Sequence, residues 1–584
     1  MRHEFLHLAA FLLITSGLNA QVLAPSWVAT MGSNGTDRGV ALTLDGTHVY
    51  LTGLFNGTVD FDPGPRVVDL TSAGGNDIYV TKFTMEGDLV WARRMGGPHY
   101  DAPLSIAVDD QGNVYTTGGF SGTADFDPGP GTFTMTAATT GQADIYISKF
   151  DPDGNFVWAK GIVGGTWWDQ GYSMAIDHEG NVVVAGRFYY QGGPRDFDPG
   201  PGVHLLTAGH EDIFVLKLTN DGDFIWAVNF GTAPHESRAH SLVLDDEGNI
   251  YTSGYFRGTV DFDPGPGTAN LTSVGTWNVF YHKLDPNGNF VWVRSIPITT
   301  TTYHTEPRGY GRKITLDHQG HLYATGRFSG TIDFDPGPGT ASMTAVGDHD
   351  IHVLKFTTDG DLVWARSMGG TGYDEGFGIA ADADGVVHVV GIFQGTADLD
   401  PGPEVHQVVA AGNDEMFVLS LDDGGAFIRA GIMGGTGADQ ANALVLDDAG
   451  DLYVTGWFAS TADLDPGPGT QNHTSNGGPD VFLMKVIEFD GTNIGVMAPP
   501  SGLRVHPNPA SERIIVQLDP DMIGRRGVVE VFNAAGARMH MDRVGDLVPM
   551  WSLELPADWT DGLYLLTLRS EGAPLRSARI VLQR

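Results

Sequence analysis

One string, Asp-Phe/Leu-Asp-Pro-Gly-Pro, occurs seven times, starting at Asp60, Asp125, Asp196, Asp261, Asp333, Asp398 and Asp463. Its spacings are 65, 71, 65, 72, 65 and 65 residues. So regular a beat means that one structural unit is made seven times over, and the fold must be one that stacks copies of itself.

The rest of each copy keeps the same beat. An apolar segment ending in Asp, such as Leu242-Val243-Leu244-Asp245, leads through a Gly-Asn-type turn to a second, such as Asn113-Val114-Tyr115-Thr116-Thr117-Gly118. After the insertion that holds the Asp-Pro-Gly-Pro string comes a third, such as Asp144-Ile145-Tyr146-Ile147-Ser148-Lys149-Phe150. An Asp-Gly turn then gives a fourth, such as Asn155-Phe156-Val157-Trp158-Ala159. Segments rich in β-branched and aromatic residues, joined by Gly, Asn and Asp turns, predict four strands per copy. Four strands alone cannot bury both faces of their sheet, but packed radially against their copies they can. The expected fold is all-β, a seven-bladed β-propeller over residues 21–490.

The ends of the array predict how the ring closes. The seventh copy has strands near 442–446, 451–457 and 480–486 and then no Trp strand. Its counterpart lies at the other end of the chain, in Ser26-Trp27-Val28-Ala29-Thr30-Met31-Gly32, which matches Leu89-Val90-Trp91-Ala92-Arg93 with its following Gly96-Gly97. Trp27's strand is expected to complete the seventh blade and remove an open sheet edge. The chain has no cysteine, so no disulfide can take that role. In their Gly-Gly, strand-Asp, Gly-Asn-strand-Thr-Gly and Phe-Val-x-Lys-Leu elements, the last as Phe214-Val215-Leu216-Lys217-Leu218, the repeats resemble the SBBP type of β-propeller repeat. The resemblance spans about residues 25–490 and implies the fold, with little chemistry attached.

Residues 1–20 read as a secretory signal: Arg2 and His3, an apolar run from Leu8 to Ile14, and small residues up to Ala20 before Gln21. No stretch approaches the roughly 18 apolar residues of a membrane helix. Residues 491–502, ending in Pro499-Pro500-Ser501-Gly502, form a linker. Beyond it, segments such as Arg513-Ile514-Ile515-Val516-Gln517-Leu518 and Leu563-Tyr564-Leu565-Leu566-Thr567-Leu568 predict a small C-terminal β-sandwich over residues 503–584. His506-Pro507-Asn508-Pro509-Ala510, Val529-Glu530-Val531-Phe532-Asn533 with Gly536, and Gly562-Leu563-Tyr564-Leu565-Leu566 resemble the C-terminal sorting domain of the type IX secretion system of Bacteroidota. That resemblance implies export through the type IX machinery and a secreted or outer-surface location.

Residues 496–584 hold ten Arg, no Lys and ten Asp/Glu, so the net charge of −38 belongs to the first 495 residues. A body so negative excludes nucleic acid and anionic lipid as favoured partners.

Strand parity places the insertions and the connections between blades on one face. In each insertion two carboxylates sit two residues apart: Asp60 and Asp62, Asp125 and Asp127, Asp196 and Asp198, Asp261 and Asp263, Asp333 and Asp335, Asp398 and Asp400, Asp463 and Asp465. On an extended segment such a pair points the same way and suits calcium, although Pro and Gly beside it equally suit a turn. No other cofactor is indicated. The connections differ between blades and supply the candidate ligand-binding residues Tyr100, Trp168, His235, Tyr303, His304 and Tyr373. Aromatic rings beside carboxylates suit sugars, which stack and donate hydroxyl hydrogen bonds. A recurring acid, at Asp37, Asp101, Asp169, Asp374 and Asp439, either joins in or ties neighbouring blades together. There is no His-Glu-x-x-His, nucleophile elbow, P-loop or dinucleotide fingerprint, and no catalytic residue is assigned. His235 with Glu236 and His304 with Glu306 are the only acid–base sets worth a test. The expected function is a secreted or surface propeller that binds a glycan or protein. A glycan lyase or hydrolase and a structural adhesion component are the alternatives.

Overall fold

The computed structural model describes residues 21–275, 277–298 and 312–490, and in 503–584 the strands with residues 555 and 559. The expected signal at 1–20, the expected linker at 491–502, and Tyr303, His304 and Glu306 lie outside the described residues.

The chain forms a seven-bladed β-propeller. Blade 1 is the antiparallel sheet Arg38–Leu44, His48–Phe55, Asp77–Thr84 and Leu89–Met95, in that order. Blades 2 to 6 repeat the plan over 102–162, 170–230, 237–298, 313–370 and 375–435. The first strands of successive blades touch one another, and the seventh touches the first, so they ring the axis. Blade 7 takes three strands from 439–490 and its outermost from Gln21–Met31, in the order Gln21–Met31, Asp480–Asp490, Leu452–Phe458, Asp439–Leu446. The ring is therefore clasped by the two ends of the array, as the sequence predicts.

The core lies between blades. The second and third strands, such as Val114–Phe120 and Asp144–Phe150, are buried along their whole length because each is covered on both faces. Tyr50, Ile78, Val80 and Trp91 of blade 1 interlock with Ile106, Val114, Phe120 and Tyr146 of blade 2, and the same occurs at each of the seven junctions. At the closing junction Trp27 and Met31 pack with Val481, Leu483 and Tyr453 and with Val49 and Leu51 of blade 1.

Each insertion forms a small hairpin, and several of these dock on the preceding blade. Gly96 exchanges two backbone hydrogen bonds with Asp125, and Gly369 and Gly370 pair with Asp398 and Ala397. The C-terminal unit holds two antiparallel sheets: Leu503–His506, Arg513–Leu518 and Met550–Glu554, and Arg538–Val544, Gly527–Asn533, Gly562–Ser570 and Ala573–Leu582. Val529, Val531, Leu566 and Leu568 are buried in the second.

Candidate functional site

The Asp pairs of the insertions all make the same bonds. Asp125 Oδ1 accepts the backbone N–H groups of Asp127 (3.1 Å) and Phe133 (2.9 Å), and Asp127 Oδ1 accepts that of Gly129 (2.8 Å). Asp60, Asp196, Asp261, Asp333, Asp398 and Asp463 close their loops in the same way. The residue between the two acids is driven inward: Phe126 is fully buried against Phe120 and Tyr146. Among the described residues no group of three or more His, Asp or Glu is placed to hold a metal ion.

The recurring acid of the connections is buried. Asp101 accepts N–H groups from Gly97 (2.7 Å) and Ser121 (2.9 Å), tying the connection to its own blade's second strand. Asp374 and Asp439 do the same. Each lies beside the acid that opens the third strand of the preceding blade: Asp77 with Asp101, Asp144 with Asp169, Asp350 with Asp374, Glu415 with Asp439, and Asp480 with Asp37. Burial, with the neighbouring charge added, raises Asp101, Asp169 and Glu415 to about 7 and Asp374 and Asp480 to about 6.

One residue further along, the mouth of the axis varies among the six blades described there, with arginine and glutamine each occurring twice. The positions are Arg38, Ala102, Gln170, Arg238, Glu375 and Gln440, paired across to Leu54, Gly119, Arg187, Tyr255, Ile392 and Trp457. A β-bulge follows in these blades and leaves the next residue outside the ladder. Bulge residues of neighbouring blades meet around the axis, as do Tyr172 and His240, with ring centroids 5.4 Å apart.

Two clusters dominate this mouth. On blades 3 and 4 the fully buried Glu211 accepts hydrogen bonds from Arg187 Nη1 (3.2 Å) and from Arg238 Nε and Nη2. Arg187 also donates to Gln170 (2.9 Å), to which the Tyr172 hydroxyl donates at 3.2 Å. The Arg187 guanidinium lies 5.5 Å from the Tyr172 ring centre, and Arg238 lies 5.6 Å from that of Tyr255. Burial opposes the charge on Arg238, but Tyr255 and Glu211 outweigh it and push its pKa up. On blades 5 and 6 the buried Glu375 accepts from Arg312 (3.0 Å), Arg327 (3.1 Å) and the Tyr373 hydroxyl. Arg327 lies over Tyr373 and Arg312 over Phe377. A fifth arginine, Arg38, lies 4.6 Å from the Trp457 ring centre. The arginines offer forked donors of the kind that suit anions, and the aromatics offer flat faces.

Of the sequence candidates, Tyr100 and Trp168 meet edge to face at 5.7 Å across blades 2 and 3. Burial raises the Tyr100 hydroxyl, while the charge of Arg38 lowers it. Tyr373 belongs to the second cluster. His235 sits apart, its ring against Gly258, as that of His99 sits against Gly122. Sequence reasoning missed Arg187, Arg238, Arg327, Glu211 and Glu375. The available signal was a charged or bulky residue where other copies carry Leu54, Gly119 or Ile392 in register.

A family model for the SBBP β-propeller repeat matches residues 90–118. An uncharacterized WD repeat-containing protein of Acanthamoeba polyphaga mimivirus is 22% identical over 509 residues, 74% of this chain and 36% of that protein. The regulatory protein FlaEY of Caulobacter vibrioides is 31% identical over 137 residues, 24% of this chain and 14% of its own length. The chain thus spans little more than a third of the first relative and about a seventh of the second. Among solved structures, a polysaccharide lyase of a new family, the PL25 ulvan lyase, is similar over 78% of this chain and 97% of its own, at 13% identity and a TM-score of 0.40.

Proposed function

We propose that the chain is a binding propeller that takes a glycan at the mouth of its axis, on the face carrying the connections between blades. The supporting observation is that one rigid frame, repeated seven times, presents side chains that vary among six of its blades at the same mouth position. A constant scaffold with a variable rim is how binding surfaces are built. Half-exposed Tyr172 and His240 and the exposed Tyr100 edge offer flat faces for sugar rings. The secretory signal and the likeness of residues 503–584 to a type IX sorting domain support a place outside the cell, with the type IX machinery as a transient partner.

A glycan-array screen of residues 21–584 tests this. Wild type is expected to retain glycans, and Tyr172→Ala and Tyr100→Ala to lose about tenfold in affinity. No retained glycan, or variants that bind like wild type, would overturn it. Release of cleaved product on the same screen would replace binding with turnover.

A further inference from the structure

We infer that the ligand is acidic, and that its carboxylate or sulfate groups are taken by the two arginine clusters of the mouth. This rests on the glycan-binding reading and specifies its substrate class.

Although the propeller carries the negative charge of the chain, five arginines, Arg38, Arg187, Arg238, Arg312 and Arg327, gather with Glu211 and Glu375 among the described residues of its mouth. In each cluster two guanidinium groups share one carboxylate. Arg187 and Arg238 are 8% and 7% exposed, so their surplus positive charge is held largely out of water. A desolvated charge without a counter-charge is costly, and an incoming anion relieves that cost.

Comparison among the seven copies strengthens the point. In register, the junction acid Asp439 faces Phe458, and the third-strand acid Asp480 faces the same residue. In blade 4 both positions face Phe256, and they hold Ser237 and Asn278. The blade that contributes Arg238 thus lacks both acids, and at its junction with blade 3 the remaining acid, Asp212, accepts hydrogen bonds from Asn229 and from the backbone N–H of Gly209. Beside it the buried Ser237 Oγ, Tyr255 Oη and Arg187 Nε find no hydrogen-bond partner. Buried donors without partners are rare and point to a missing acceptor. An anionic oxygen from the ligand supplies that acceptor and the counter-charge together. Tyr172 and His240, packed against each other at the same spot, give the attached sugar a surface to lie on. Because the second cluster occupies blades 5 and 6 of the same rim, a polymer with recurring acidic groups engages both.

The test measures binding of full mature protein to polygalacturonate, to its carboxyl-reduced neutral form, to a sulfated galactan and to its desulfated form. Binding to at least one acidic polymer is expected, about tenfold or more tighter than to its neutral form and weakening with salt. Arg312→Gln, at the more exposed arm of the second cluster, is expected to weaken acidic binding about tenfold. Tyr255→Phe keeps the ring and removes one unpartnered hydroxyl; it is expected to weaken the same binding while the melting midpoint holds. Carboxylate and sulfate are told apart by which acidic polymer binds. Equal or stronger binding of the neutral forms overturns the acidic assignment and leaves the glycan reading standing, whereas no binding to any glycan overturns both. Acidic binding that neither variant reduces removes the clusters from the site.

Discussion

At the residue scale the repeated Asp pair shows what one carboxylate can organise. Asp125 Oδ1 gathers two backbone N–H groups six residues of loop apart, and the loop they close drives Phe126 into the space between blades. Gly131 lets the loop pass close to Asp127 Oδ2, although Arg66 and Glu404 take the same position in two other copies. The loop closure explains why the string recurs in every copy. Asp125→Ala leaves those N–H groups without an acceptor and is expected to cost about 1–3 kcal/mol, read as a lower denaturation midpoint, while Asp125→Asn keeps one oxygen and costs less. Calcium at these pairs is a separate proposal. One oxygen of each acid is already committed to backbone, so chelator is expected to leave the melting midpoint unchanged. A fall that Asp127→Asn abolishes would establish the cation instead.

At the scale of strands, the tryptophan of most outermost strands latches onto the next blade, whereas the buried Trp226 Nε1 of blade 3 has no hydrogen-bond partner among the described residues. Trp91 Nε1 donates to the Pro152 carbonyl at 3.1 Å, Trp158 to Asn220, Trp292 to Thr358 and Trp364 to Asp423, each in the turn between the third and fourth strands of the following blade. Trp27 does the same to Met85 of blade 1 at 3.0 Å, which identifies Gln21–Met31 as blade 7's own outer strand. The logic extends to the exception. Blade 6 carries Arg429 where the others carry Trp, in the register that pairs Lys82 with Trp91 and Ser420 with Arg429. Blade 7 has no such turn for a tryptophan to latch, because its third strand is not followed by a fourth. Closure was therefore legible in the chain: both the displaced Trp27 and the substituted Arg429 mark the same seam. The docking of the insertion hairpins was not legible, since segments as short as Thr123–Asp125 carry too few residues for a periodic pattern. Trp27→Ala removes the latch and part of the closing core and is expected to destabilise by on the order of 2–3 kcal/mol in a denaturant titration. Removing residues 21–31 exposes a whole strand edge of blade 7, and light scattering is expected to report self-association.

Across the whole molecule, the ring gathers what no single copy announces. Tyr100, Trp168 and Tyr373 could be singled out from the sequence because the connections between blades visibly vary, whereas the arginine clusters join residues from different blades, as Glu375 joins Arg312, and such contacts exist only once the ring is closed. The junction acids are collective in the same way. Five pairs of buried carboxylates face each other across neighbouring blades, and among the described residues two of these pairs have an ion-paired arginine, Arg94 on Asp77 and Arg195 on Asp169. Burial first, then the adjacent acid, raises Asp101 and Glu415 to about 7 and Asp480 to about 6, so near neutrality these groups hold protons that the unfolded chain has released. A carboxyl group whose folded pKa lies above its unfolded value of about 4 gives stability that is complete below that value. The contribution is lost as pH rises through 6 to 7. Asp45 works in the opposite sense: burial pushes it up, but Thr47, Tyr50 and His48 outweigh that and hold it at about 2, so its contribution is present above about 4 and lost as pH falls toward 2. Stability is therefore expected to peak between about pH 4 and 6 and to fall toward pH 8, a direction set by the junctions. Thermal melts of the mature chain at pH 5 and pH 8 check the sign, and Asp480→Asn, which relieves the closing junction of one charge, is expected to raise the midpoint at pH 8 while changing it little at pH 5. A profile that is flat from pH 5 to 8, or unaltered by that substitution, would mean that the paired acids do not share protons in the folded ring.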